Sequence, residues 1–178
     1  MRYSRVLALT AVSLGMVCLG SAQTNQANRL QSADTNFVMK AAQGGMAEVE
    51  LGQLAATKGT NDKVRHFGQQ MVDDHTKAND ELKTVVSSKG ITLPTSADAK
   101  SETAKKRLSN LSGAAFDKAY MQDMVSDHQK DVAEFQKEAD HGADPDVKAF
   151  AQKTLPTLQK HLQMAQDALN AVKSEPSK

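Results

Sequence analysis

Apolar residues recur every three or four positions along most of the chain, which is the period of an amphipathic α-helix. Glycine or proline with a polar neighbour interrupts this pattern at Gly59, at Gly142 and at Asp144-Pro145, as is typical of helix ends and starts. The pattern predicts four long helices, over about residues 34–58, 61–88, 113–140 and 145–172. Short connections join the first two helices and the last two, so we expect two helical hairpins.

A longer polar connection of about 24 residues, with a short predicted helix at 97–108, links the second helix to the third. A helix of ~28 residues is ~42 Å long, and an extended chain of ~24 residues can reach ~80 Å. The connection can therefore cross the whole length of the helices. One crossover between two hairpins is the ferritin-like arrangement, so we expect an all-α, ferritin-like four-helix bundle. A simple up-down bundle with a loose loop is the alternative.

Residues 1–22 have the pattern of an export signal peptide. Arg2 and Arg5 precede an apolar run over residues 6–19 that is too short to span a bilayer comfortably, and Gly20 and Ala22 fit a cleavage site. A lipoprotein signal at Cys18 is the weaker alternative, because Val17 stands where that signal needs a small residue. We expect an exported protein of the periplasm or envelope of a bacterium.

This interpretation divides the chain into four parts: signal peptide 1–22, disordered segment 23–33, bundle domain 34–172 and disordered tail 173–178. After cleavage no cysteine and no predicted transmembrane segment remain, which excludes thiolate metal sites. The 22 basic and 21 acidic residues of the whole chain nearly balance, which argues against a nucleic-acid partner. A homo-oligomer is compatible with the pattern, and no protein partner is indicated.

One ionisable residue interrupts the inner apolar stripe of each long helix: Glu48, His75, His128 and His161. Each lies about 14 to 16 residues from the start of its helix, so their depths differ by only ~3 Å. Burying four such groups is costly unless they satisfy one another or bind something. Three imidazoles and a carboxylate at one level predict a site for a divalent metal such as zinc, copper or iron. The alternative is a metal-free polar layer that fixes helix register.

Two aspartates accompany these histidines in a short repeat, Met71-Val-Asp-Asp-His75 and Met124-Val-Ser-Asp-His128. Asp74 and Asp127 lie about 100° around the helix from the histidines, where they could orient an imidazole of a neighbouring helix. Solvated boundary positions are the alternative for both aspartates. Di-iron bundles place a glutamate three residues before each histidine, and no glutamate stands there in this sequence. A di-metal oxidase is therefore not expected.

Several of these motifs together resemble a bacterial secreted family catalogued as domain of unknown function 4142. They are the opening segment FVMKAAQGGMAEVELG (37–52), the two Met-Val-x-Asp-His segments and the stretch TLPTLQKHL (154–162). The resemblance covers about residues 34–172 and implies a ferritin-like helical bundle that is exported. It implies no activity and no ligand set, so the metal hypothesis depends on spacing alone.

The leading hypothesis is therefore a non-catalytic exported bundle that binds one metal ion in its core, with a role in envelope stress or metal handling. The second is a metal-free structural or interaction protein. The third is a metal-dependent redox or hydrolytic enzyme, which needs an open coordination position and a path for solvent.

Overall fold

A computed structural model describes residues 30–174, in which it contains five α-helices and no strand. The helices are α1 (Ser32–Lys58), α2 (Asp62–Val86), α3 (Ala99–Ser109), α4 (Gly113–His141) and α5 (Pro145–Ser174). The all-α prediction is confirmed. The predicted signal peptide at 1–22 lies outside the described residues, as do residues 23–29 and 175–178. No helix of the described part is both long and apolar enough to cross a membrane.

The four long helices pack as two hairpins, α1 with α2 and α4 with α5, and the hairpins meet along α2–α5 and α1–α4. Asp117 at the start of α4 contacts the α1–α2 turn, and Asp34 at the start of α1 contacts the α4–α5 turn. Lys89, just after α2, forms an ion pair with Asp144 at that same α4–α5 turn. The connection after α2 must therefore return along the length of the helices to reach the start of α4.

The short helix α3 lies within this returning connection and packs on α1 and α4. Leu108 is fully buried, and Lys105 forms an ion pair with Glu50 of α1 at 2.6 Å. Arg107 pairs with Asp123 of α4. The crossover is thus attached to both hairpins rather than loose.

The two hairpins share a sequence repeat with an offset of 83 positions, which the sequence analysis missed. Identical or similar residues occupy both copies, as in Asp34/Asp117, Phe37/Tyr120, Glu48/Asp131, Gly59/Gly142, Val64/Val147 and Phe67/Phe150. The two turns also share one backbone conformation, with φ −56° and ψ 133° at Gly59 and φ −53° and ψ 134° at Gly142. A Cβ at either glycine would lie 2.7 Å from a carbonyl oxygen of the preceding helix, so both turns need glycine for space.

The aspartate pair of the repeat ties each hairpin to the turn of the other. Asp117 accepts hydrogen bonds from the backbone N–H groups of Thr60 and Asn61, and Asp34 accepts them from Ala143 and Asp144. This contact explains why α1 begins at Ser32, inside the segment predicted to be disordered. Likewise α5 continues to Ser174, two residues into the predicted tail.

The hydrophobic core consists of two clusters, one at each end of the hairpins. The first lies near the α1–α2 turn and includes Phe67, Met71, Phe116, Tyr120 and Met124. The second lies near the α4–α5 turn and includes Phe37, Leu82, Val147, Phe150 and Leu155. Each long helix contributes residues to both clusters, and the ionisable residue identified in its sequence lies between those two sets of residues.

Candidate metal centre

Three histidines from three helices meet between the two apolar clusters. His75 of α2, His128 of α4 and His161 of α5 are 7%, 0% and 1% exposed. Their ring centroids are 5.5 to 5.9 Å apart, and one ring nitrogen from each lies within 4.8 Å of those of the other two. Three nitrogens around a tetrahedral Zn²⁺ would be about 3.3 Å apart. A modest inward rotation of the rings would therefore form a three-nitrogen site.

In two of the three rings, a hydrogen bond determines which nitrogen keeps a free lone pair for a metal. Nδ1 of His128 lies 3.0 Å from the Met124 carbonyl oxygen, which can only accept, so Nδ1 carries the proton. Nε2 of His161 lies 2.8 Å from Asp74 Oδ2 and donates to it. The opposite nitrogens, Nε2 of His128 and Nδ1 of His161, are buried without a hydrogen-bond partner among the described residues, as is Nε2 of His75. Two of these three atoms are thereby fixed as lone-pair donors.

Burial also keeps the three imidazoles neutral, which is the form that binds metals. It lowers the pKa of His75 to about 3, and the charges that His128 and His161 would carry act in the same direction. Burial likewise lowers the pKa of His128 and of His161, although the bond to Asp74 opposes the shift in His161. A metal ion would not have to displace a proton from these rings at neutral pH.

Asp74 contacts an imidazole of a neighbouring helix, which was one of the two alternatives for this residue. It reaches His161 on α5 and also accepts a hydrogen bond from Gln70 at 2.6 Å. Partial burial acts to raise the pKa of Asp74, but the bonds from Gln70 and His161 outweigh it and lower the pKa. The ionised carboxylate therefore favours one tautomer of His161, as carboxylates behind metal-binding histidines do.

Asp127 does not take the corresponding role. Its side chain is turned toward Lys130, with which it forms an ion pair at 3.0 Å, and it makes no hydrogen bond to a histidine in the described part of the chain. Of the two aspartates that could orient an imidazole or lie at a solvated boundary, Asp74 contacts a histidine and Asp127 does not.

Glu48, the fourth residue of the predicted ligand set, lies beside the three histidines rather than among them. Its Oε1 atom is 3.8 Å from Nδ1 of His128, the protonated edge of that ring. Glu48 is 4% exposed, and its Oε2 atom has no hydrogen-bond partner among the described residues. Burial, followed by the charge of Asp127, raises the pKa of Glu48 to about 8.

Asp131 of α4 also belongs to this polar layer, and Tyr120 of the first apolar cluster has a buried hydroxyl; the sequence analysis identified neither as a candidate site residue. Burial and the charge of Glu48 raise the pKa of Asp131 to about 7. Tyr120 is fully buried, and its hydroxyl has no hydrogen-bond partner among the described residues. Burial and the charge of Glu48 raise the pKa of Tyr120. The repeat contains the signal that could have found Asp131, because Asp131 corresponds to Glu48.

A cavity of about 270 Å³ connects this layer with the surface beside α1, α4 and the start of α3. Glu48, His75 and Asp131 line its inner part, and Lys40, Asp98 and Lys100 are among the residues of its wall. Ions and small molecules thus have a route to one side of the histidine group.

Comparisons with known proteins agree with the fold. Residues 19–168 match the family described as Domain of unknown function (DUF4142), and the chain belongs to this family. No curated protein matches the sequence. The structure is similar to the crystal structure of a DUF305 fragment from Deinococcus radiodurans, with a TM-score of 0.71 and 16% sequence identity, over 80% of this chain and 99% of that one. At this identity the similarity concerns the fold alone.

Proposed function

We propose that this member of the DUF4142 family is a non-catalytic metal-binding protein that holds one divalent ion on His75, His128 and His161. The observation that carries the proposal is that three buried histidines meet between two apolar clusters, with one ring nitrogen of each within 4.8 Å of those of the other two. Each ring also has a buried nitrogen without a hydrogen-bond partner among the described residues. Unpaired buried polar atoms are costly. A metal ion would satisfy all three nitrogens at once.

Neutral imidazoles favour zinc and copper, and they also bind iron. Asp74 would hold His161 in the ligating tautomer, and the Met124 carbonyl would do the same for His128. The two apolar clusters would exclude other ligands from either side of the layer.

We also propose that the chain is exported to the cell envelope and that its long helices form a ferritin-like four-helix bundle. The signal-peptide pattern predicted at residues 1–22 supports the first statement, and the two hairpins with a returning crossover support the second. A metal-binding protein in that compartment would serve metal handling or envelope stress. N-terminal sequencing of protein recovered from the native envelope tests export, with a start near Gln23 expected.

The decisive experiment for the metal centre is elemental analysis of untagged protein purified without a chelating resin. We expect close to one zinc, copper or iron per chain, and loss of that metal in the double variant His75→Ala/His128→Ala. His66→Ala is the matched control, because His66 is an exposed histidine on α2. It should retain the metal.

Thermal unfolding of metal-free protein gives a second measurement. A ligand that binds only the folded state at about 1,000 times its Kd adds about 4 kcal/mol of stability, so added Zn²⁺ or Cu²⁺ should raise Tm by about 10 °C. A folded metal-free protein that neither binds these ions nor gains stability contradicts the proposal. The layer would then set helix register, and leucine at all three histidines would keep or raise stability.

A metal-dependent redox or hydrolytic enzyme is the second candidate, because the cavity reaches His75 and could admit a substrate to an open coordination position. Anion binding separates the two candidates. Azide should shift the visible spectrum of a Cu²⁺- or Co²⁺-loaded open site and leave that of a closed, non-catalytic site unchanged.

A further inference from the structure

The cavity beside α1 and α4 contains carboxylates at two depths, and they differ in how their charges are balanced. At its mouth, Glu134 pairs with Lys40 at 2.7 Å and Asp127 pairs with Lys130 at 3.0 Å. Farther in, Glu48 and Asp131 have no lysine or arginine partner among the described residues. The outer carboxylates are thus paired with lysines, and the inner ones are not.

Glu48 lines the cavity and has a buried oxygen without a hydrogen-bond partner among the described residues. The side chain is 4% exposed, it lines the cavity, and its Oε2 atom makes no hydrogen bond within residues 30–174. Asp131 is half-buried and lines the same space. The two residues correspond in the repeat, and each hairpin contributes one of these carboxylates to the lining of the cavity between α1 and α4.

This position is distinct from the histidine centre. The nearest imidazole, that of His128, presents its Nδ1 atom toward Glu48, and the proton on that nitrogen is donated to the Met124 carbonyl. The lone pair of His128 lies on the opposite edge of the ring. An ion bound by Glu48 therefore could not share this lone pair with an ion bound by the histidines.

We propose that Glu48 and Asp131 form a second cation site, which takes a hard, oxygen-preferring divalent ion of the Mn²⁺, Mg²⁺ and Ca²⁺ class. Such ions bind one or two protein carboxylates and keep several water ligands. The cavity of about 270 Å³ has room for the ion with its waters, since a water molecule takes about 30 Å³. The ion would replace the protons of these carboxyl groups and pair with both carboxylates, as the lysines pair with the outer ones.

The test uses Mn²⁺ as the probe with the purified, metal-free protein. Binding removes the sharp electron paramagnetic resonance signal of aqueous Mn²⁺, so a titration gives both stoichiometry and affinity. We expect one Mn²⁺ per chain and at least tenfold weaker binding in Glu48→Gln and in Asp131→Asn. Both replacements keep the size of the side chain, and circular dichroism verifies that each variant is folded.

Two controls locate the ion. Asp140→Asn removes one carboxylate from an exposed position of α4 outside the cavity and should leave the affinity unchanged. His161→Ala disables the histidine centre without touching the cavity wall and should also retain Mn²⁺ binding. The second cation site is therefore tested independently of the proposed histidine function, which is tested with zinc and copper.

Three outcomes overturn the proposal. The first is a folded wild-type protein that binds no Mn²⁺. The second is unchanged affinity in Glu48→Gln and Asp131→Asn. The third is loss of Mn²⁺ in His161→Ala, which would assign the ion to the histidines instead.

Discussion

Asp74 on α2 accepts a hydrogen bond from Nε2 of His161 on α5, at 2.8 Å, and thereby leaves Nδ1 of His161 as the lone-pair atom in the core. The contact joins the two hairpins at the level of the histidine layer. It links a partly exposed carboxylate to a buried ring, so an isosteric change at residue 74 tests the orientation of the ring with little change in packing.

Replacing Asp74 with asparagine should weaken metal binding at the histidine centre by about 10- to 100-fold. The amide is neutral and can donate to Nε2, which would favour the wrong tautomer of His161. Competition titrations with a coloured zinc chelator measure the change. Asp73→Asn is the control, because Asp73 is the exposed neighbour and pairs only with Gln69 among the described hydrogen bonds. Equal affinities in the two variants would rule out an orienting role for Asp74.

Acid should destabilise the metal-free protein through His75. The unfolded residue titrates near pH 6.5 and the folded one near pH 3, so the unfolded chain binds the extra proton between these values. The free energy of unfolding therefore falls as pH decreases in this window. From pH 6.5 to pH 5 the loss due to His75 is about 2 kcal/mol.

Urea denaturation at several pH values, compared between wild type and His75→Leu, isolates this contribution. The variant should show a smaller loss toward pH 5, and His66→Leu is the control for removal of a histidine from α2. Parallel pH profiles for wild type and His75→Leu would show that His75 is protonated to the same extent in both states of the chain.

The sequence was sufficient to predict the helices and the depth of the histidines, because both depend on spacing along the chain. The 3.6-residue period and the signals at Gly59 and Pro145 located the helices to within a few residues. A rise of 1.5 Å per residue then predicted one level for His75, His128 and His161, and the structure places the three rings together.

The surroundings of the histidines depend on rotation about each helix axis, which spacing determines less well. Each residue turns the helix by about 100°, so a small difference in rotation turned Asp127 toward Lys130 and Glu48 toward the cavity. Asp131 was missed because a single inner stripe was read on each helix. Alignment of the two hairpins would have paired it with Glu48.

Glu48 should make the metal-free protein less stable as the pH rises. Its pKa is about 8 in the folded chain against 4.5 in the unfolded chain, so the folded state binds the extra proton between these values and loses stability with increasing pH. Glu48→Gln removes this loss. The free energy of unfolding of Glu48→Gln, relative to that of wild type, should therefore increase by about 3 kcal/mol between pH 5 and pH 7.5.

The measurement is again the free energy of unfolding in urea, in the presence of a chelator. Asp140→Asn also removes one carboxylate, but from an exposed position, and should follow the wild-type profile. With Mn²⁺ added at pH 7.5, the second cation site predicts that the advantage of Glu48→Gln shrinks, since only the wild type gains a ligand. An advantage that does not vary with pH would mean that Glu48 is ionised in the folded chain over the whole range.

The contacts of Asp117 and Asp34 with the two turns should be a main source of stability for the pair of hairpins. Asp117 accepts hydrogen bonds from two backbone N–H groups and from the Thr60 hydroxyl, and Asp34 accepts from two backbone N–H groups. Alanine at either position leaves these turn donors without their acceptor, at about 1–3 kcal/mol for each one that stays buried. We expect losses of about 2 to 4 kcal/mol in Asp117→Ala and somewhat less in Asp34→Ala, measured by urea denaturation at pH 7.

Asp140→Ala, exposed on α4, should change stability by less than about 0.5 kcal/mol. Losses as small as that in both turn variants would mean that water replaces the carboxylates and that apolar packing alone joins the hairpins.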